Sequence, residues 1–231
     1  MVARIVRAKA TREQRSPLSP ERIVDQALVL IERDGLEGWS LRTLAGELRC
    51  EAMSLYHHYP SKGHILDAIA DRLVGQLSIE RRPREAWNAR FRRLSLDYYD
   101  LARRFPRAFP LLATRRANGP NLYRMVETVL SLLVEGGFTP REAAQIFRTF
   151  GAFLNGAGLT QIAVSLRQPD ATPVAIESTV DEEHYPTLAT AAAFLGPAHL
   201  QENFQVGFER LLSWVESEAS AKRKSRRSAK R

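Results

Sequence analysis

Cysteine is almost absent from the 231-residue chain: Cys50 is the only one, so no intramolecular disulfide can form. That excludes a disulfide scaffold and leads us to expect the reducing cytoplasm. Membrane-spanning runs are scarce too. Residues 149–166 carry no charge, but Asn155, Thr160, Gln161, Ser165 and three glycines fill a hydrocarbon span poorly, so a buried helix and no membrane partner are expected. The basic segment Met1–Arg15 leads into no apolar core or small-residue cleavage site, and no secretory signal is expected.

Catalytic signatures are also missing. The chain has no Gly-rich phosphate loop, nucleophile elbow or His-Glu metalloprotease motif, so no catalytic residue, enzyme activity or cofactor is expected. Cys50, His57, His58 and His64 lie near one another in sequence, but they lack the paired spacings of a zinc site, and adjacent histidines diverge. No metal is expected.

Hydrophobic residues at 44% and charged residues at 26% describe an ordinary globular protein. The net charge of +8 is unevenly spread. Residues 1–15 carry five Arg/Lys and one Glu, 16–80 six and ten, 81–218 sixteen and fifteen, and 219–231 seven and none. A slightly acidic body thus has two basic ends. Such ends suit a polyanion, because each neutralised phosphate releases counterions. The plainer expectation for the C-terminal run KRKSRRSAKR is a solvated, disordered end.

The pattern is helical nearly throughout, with apolar positions recurring at threes and fours. Ser19-Pro20-Glu21 opens a first helix that Gly35 stops, with Ile23, Ala27, Leu30 and Ile31 inward. A short helix follows the cap Ser40 and runs through Leu48, Arg49-Cys50 is a tight turn, and a second short helix spans Glu51–His58. Pro60 ends it, and Ser61 caps a longer helix reaching Leu77. After Arg81-Arg82-Pro83, the residues Trp87, Phe91, Leu94, Tyr98, Leu101 and Phe105 line one helix face. Further helices are expected over Ala108–Arg115, from Leu122 to Gly136 with Leu122, Val126, Val129 and Leu133 inward, and from the capping box Thr139-Pro140-Arg141-Glu142 to about Leu166. An exposed loop over 168–184 precedes helices Thr187–Leu195 and Pro197–Ala219, the last with Leu200, Phe204, Phe208, Leu211 and Val215 inward.

Two short helices joined by a tight turn between longer ones form a helix-turn-helix, whose second short helix enters the DNA major groove. Leu41–Leu66, LRTLAGELRCEAMSLYHHYPSKGHIL, resembles the DNA-binding motif of the tetracycline-repressor (TetR) family, matching at Leu44-Ala45, Leu48, Leu55-Tyr56, His58-Tyr59 and Ser61-Lys62 before Ile65-Leu66. It departs at Arg49, where the family often has glycine. The remainder is similar to the family's C-terminal domain, chiefly in helix order and in Trp87 and Thr139-Pro140.

From the residues themselves, Met53 can meet a thymine methyl and Ser54 can donate to or accept from a base edge. The resemblance implies that Tyr56, His58 and Lys62 hold phosphates, that Arg42 caps the first short helix's approach to the backbone or reaches a guanine, that Thr43 is a further DNA-binding candidate, and that His57 faces the groove. Core packing is the competing reading for Tyr56 and, more strongly, Tyr59. The resemblance also implies a C-terminal cavity for a small-molecule effector, with Phe105, Phe109, Leu112, Arg116, Phe147, Phe150 and Asn155 as ligand-binding candidates. Tetracycline is not expected, since the type member's magnesium-binding histidine has no counterpart in Phe109–Ala113.

The expected architecture is therefore all-α, with a basic arm (1–16), a helix-turn-helix domain (17–79), a larger ligand-binding and dimerisation domain (84–219) and a basic tail (220–231). Its expected role is that of a homodimeric repressor released from a double-stranded DNA operator by its effector. The alternative is an architectural protein that binds any duplex and has no ligand.

Overall fold

The computed structural model describes residues 17–115, 118–166 and 180–228, and among these it holds ten α-helices, one 3-10 turn and no strand. Local capping explains where several helices start. In α1 (Pro20–Asp34) the Ser19 hydroxyl accepts from the Arg22 N–H at 3.3 Å, Pro20 occupies the first helical position, and Gly35 leaves the helix at φ 83°. In α2 (Leu41–Leu48) the Ser40 hydroxyl accepts from the Thr43 N–H at 3.0 Å.

Helix α3 is shorter than expected, covering only Ala52–Tyr56. The His58 N–H donates to the Leu55 carbonyl three residues back, a tightened last turn, and the helix stops before Tyr59, the residue ahead of Pro60, where helical geometry is disfavoured. Helix α4 (Lys62–Val74) likewise stops short of Leu77, which is nevertheless buried.

The remaining helices are α5 (Trp87–Arg104), α6 (Pro110–Thr114), α7 (Pro120–Gly136), α8 (Pro140–Ser165), α9 (Pro186–Leu195) and α10 (Leu200–Ser228), with the 3-10 turn Pro197–His199 before α10. At α8 the Thr139 hydroxyl accepts from the Glu142 N–H, and the Glu142 carboxylate accepts from the Thr139 N–H at 2.8 Å, a complete capping box. The expected loop over 168–184 lies largely outside the described residues. No helix among the described residues is long and apolar enough to cross a membrane.

Two further features of the structure correct the sequence reading. On α7 the buried residues are Met125, Val129, Leu132 and Leu133, while Leu122 and Val126 are only half-buried. The helix carries two adjacent apolar stripes, and periodicity alone does not select between them. The tail expected to be disordered is helical through Ser228. Lysine, arginine and alanine favour helix, and Lys222 is anchored by Glu142 at 2.7 Å.

The chain forms two compact units. One runs to Pro83 and includes Arg93–Val129; the other comprises Arg84–Arg92 and everything from Leu130. Residues 93–129, which the sequence grouped with the C-terminal domain, cluster with the first unit. Within it α1 packs against α2 and α4, α2 against α3, and α4 against α6, around Ile23, Leu30, Ile31, Leu44, Leu55, Ile65 and Ile69. Within the second, α8 packs against α10 through an aromatic cluster. Phe91 and Phe150 meet edge-on at 4.7 Å, Phe150 and Phe208 at 6.2 Å, and Phe153 stacks on Phe204 at 5.6 Å.

Candidate nucleic-acid interface

The helix-turn-helix is held from beneath by a few apolar side chains and presents the rest outward. Leu44 and Leu48 of α2 and Leu55 of α3 are buried. On the outer side Arg42 and Thr43 are exposed, Met53 is 66% and Tyr56 45% exposed, Ser54 and His58 are half-buried, and His57 is exposed. Exposure of a methionine and a tyrosine on so short a helix is the informative part, because neither needs water contact for the fold. It favours the outward reading of Tyr56. Tyr59 is half-buried, its hydroxyl 3.4 Å from the Pro20 carbonyl, and burial pushes its phenol pKa up.

The turn adopts the conformation that glycine would take without cost. Arg49 sits at φ 55°, ψ 45°, and its N–H closes onto the Ala45 and Gly46 carbonyls. For a residue with a Cβ, this left-handed geometry costs about 1–2 kcal/mol. The motif tolerates it.

Lys62 is half-buried. Its ammonium donates to the Trp39 carbonyl at 3.0 Å and lies 4.6 Å from the centroid of the Trp39 ring, which is itself buried. This fixes the ammonium at the entry to α2 and leaves it two further donors.

Sequence reasoning missed a set of carboxylates in the same unit. Glu32 of α1 accepts from the Ala108 N–H at 2.8 Å and the Arg107 N–H at 3.5 Å, and burial raises its carboxyl pKa. Asp67 of α4 accepts from Arg115 Nε at 2.6 Å, and the same guanidinium donates to the Gly63 carbonyl at 3.2 Å. Asp71, one turn further and 8% exposed, accepts from the Leu122 N–H and from Asn121 Nδ2, each at 2.9 Å. It therefore caps the positive end of α7. A Cβ at Gly119 would sit 2.2 Å from Asp71 Oδ1, so this approach requires glycine there. The breaker Asn118-Gly119-Pro120 was the one readable sign that a helix start needed a partner.

The effector candidates fall in both units. Phe105 and Phe109 are buried and Leu112 half-buried in the first, where Phe109 meets Tyr98 edge-on at 6.0 Å. Phe150 is buried in the second unit, where Phe147 and Asn155 are half-buried. Arg116 lies outside the described residues. A cavity of about 270 Å³ within the second unit is lined by Ala86, Trp87, Asn88, Glu216, Ala219, Ser220 and Arg223, none of them a candidate named from sequence. Among the described residues, no three His, Cys, Asp or Glu side chains group to hold a metal ion.

Residues 23–69 match the model of bacterial regulatory proteins of the tetR family, and 81–218 match that of the tetracyclin repressor-like C-terminal domain. The chain belongs to the tetracycline-repressor family. It is 26% identical over 227 residues to the transcriptional repressor DrrR1 of Streptomyces coeruleorubidus, covering 90% of this chain and 81% of that one. It is 29% identical over 215 residues to the class D tetracycline repressor of Escherichia coli, covering 88% and 92%. Its fold matches that of the TetR family protein ActR of Streptomyces coelicolor, solved in complex with actinorhodin, at a TM-score of 0.78 and 21% identity over 88% of this chain and 99% of that one. The exposed surface of α2 and α3 is thus the DNA-binding motif of a family of transcription regulators.

Proposed function

We propose that the chain is a cytoplasmic, homodimeric repressor that reads its operator through Arg42, Thr43, Met53, Ser54 and His57, is held on the backbone by Tyr56, His58 and Lys62, and is released by a small organic effector. The observation that carries this reading is the outward display of Met53 and Tyr56 on α3 while Leu55 alone anchors it. Phe105, Phe109, Leu112 and Arg116 of the first unit and, separately, Phe147, Phe150 and Asn155 of the second are proposed as effector-binding candidates. That the similar ActR is known with actinorhodin and other relatives are tetracycline repressors supports an effector of aromatic character.

Dimerisation is supported by apolar surface on the second unit. Phe194 is 65% exposed and Trp214 41%, and a Cβ built at Gly151 or Gly156 on α8 meets nothing within 4 Å. The domain assignment 17–79 for DNA and 84–219 for effector and dimer is retained as a division of labour.

Release follows by linkage: an effector that favours the arrangement with misplaced recognition helices weakens DNA binding by its differential affinity. Glu32, Asp67 and Asp71 bind α1 and α4 to segment 107–122, so a shift in that segment is passed to the helices supporting the motif.

Sequencing the DNA fragments that the purified protein retains tests the proposal. A two-fold symmetric site with half-sites about one helical turn apart is expected. Similar affinity for every duplex would favour the architectural alternative.

A further inference from the structure

Helix α10 outruns the core that explains it. Among the residues whose burial is described, Ala219 is its last buried one, yet the helix continues through Ser228. From Ala219 onward the sequence holds seven Lys/Arg and no acid, and no apolar side chain larger than alanine. Its root is fixed at two points. Lys222 Nζ pairs with Glu142 Oε1 at 2.7 Å and lies 5.8 Å from the Phe138 ring centroid, and the Arg223 guanidinium lies 6.0 Å from the Trp87 ring centroid. Glu142, whose pKa is lowered to about 2, stays ionised to hold this root in place.

Two of the seven charges therefore anchor the helix, and Lys224 is exposed beyond them. Positions 223, 224, 226 and 227 are all basic, so like charges recur at i,i+3 and i,i+4 along the helix, each such pair unfavourable by about 0.2–0.5 kcal/mol. Their placement at a helix C-terminus offsets part of this, and a polyanion would remove it.

We propose that this helical end is a second contact surface for duplex DNA phosphates, separate from the helix-turn-helix. A duplex fits better than an anionic membrane, because interfacial helices bind by burying an apolar face, which this segment does not have. Duplex DNA demands no such face and presents a phosphate about every 1.7 Å of axis.

The test uses the full chain with Lys224→Gln, Arg226→Gln and Arg227→Gln together, which leaves Lys222 and Arg223 in place and keeps good helix formers. Binding to an operator-free 40-base-pair duplex is measured across salt concentrations. The slope of log K against log salt should become shallower by about 0.9 per lost contact, approaching 3 in total. The charge-preserving pair Arg226→Lys and Arg227→Lys should keep the original slope, which separates loss of charge from loss of folding. An unchanged slope in the triple variant would overturn the proposal. So would loss of binding to phosphatidylserine vesicles with an unaltered DNA slope, which would make the partner a membrane. Base preference on retained fragments is scored separately: its absence would defeat the operator reading while leaving this one standing.

Discussion

The helix-turn-helix and the α8–α10 layer solve opposite problems. In the first, a five-residue helix buries one leucine, half-buries Ala52 and Ser54, and leaves Met53 and Tyr56 exposed. In the second, helices of 26 and 29 residues bury aromatic rings against one another. On the proposed reading the motif's function rests on side chains that contribute little to folding, while the layer's side chains hold the structure. Substitutions should separate accordingly, with large stability effects and unchanged DNA reading in one place and the reverse in the other.

The largest effect is expected from Phe208→Ala. Phe208 is 1% exposed, meets Phe150 and Phe204, and has the Arg92 guanidinium 5.7 Å from its ring centroid. Its loss should lower unfolding free energy by about 3–5 kcal/mol in denaturant titration. Base preference among retained fragments should not change. By contrast, His57→Ala should leave the melting temperature nearly unaltered and shift preference at one base position by about 1–3 kcal/mol. A changed base preference in Phe208→Ala would break the comparison.

Next comes Asp71→Ala, which leaves the Leu122 N–H and Asn121 Nδ2 without their acceptor at the start of α7. A cost of about 1–3 kcal/mol is expected, with weaker operator binding in step. Asp71→Asn keeps an acceptor oxygen and should recover part of both. If stability fell while operator affinity held, the carboxylates would be structural only, and the proposed route from segment 107–122 to the motif would fail.

These carboxylates also mark where legibility ended. Ser19, Ser40 and the Thr139-Glu142 box could be read because a cap and its target lie three residues apart. The α2–turn–α3 pattern could be read for the same reason, down to Arg49 in the glycine position. Glu32 and Ala108 are 76 residues apart, and Lys222 and Glu142 are 80, so no local rule signals either pair. The α7 face and the helical tail were misread on the same ground: a distant partner decides them. Of the candidate site, Met53 and Ser54 were named from their side-chain chemistry, and Tyr56, His57 and His58 from the resemblance. The effector residues rest on the resemblance, because no local spacing marks the lining of a cavity.

A smaller effect is expected from acid. The Lys222 ammonium and the Thr139 N–H and hydroxyl hold the Glu142 carboxyl at about 2, below its ordinary 4.5. Its folded pKa is depressed, so the stabilisation is present above 4.5 and is lost as pH falls toward 2. Glu142→Gln should flatten that part of the acid-unfolding curve. Since Glu142 is solvent-accessible, the change should be modest and salt-sensitive.

The smallest effect should come from Arg49→Gly, where two terms oppose. Glycine relieves the left-handed strain, about 1–2 kcal/mol, but loses more backbone freedom on folding, about 0.5–1 kcal/mol. A net gain of about 0–1.5 kcal/mol is expected, visible as a slightly higher denaturation midpoint. The substitution also removes an exposed positive charge from the turn, so affinity for all duplexes should fall slightly and in a salt-dependent way, with base preference intact. Stability and DNA affinity would then move in opposite directions. Loss of both together would mean that Arg49 makes a contact the fold depends on, and the motif would no longer be the region whose exposed side chains are free of structural duty.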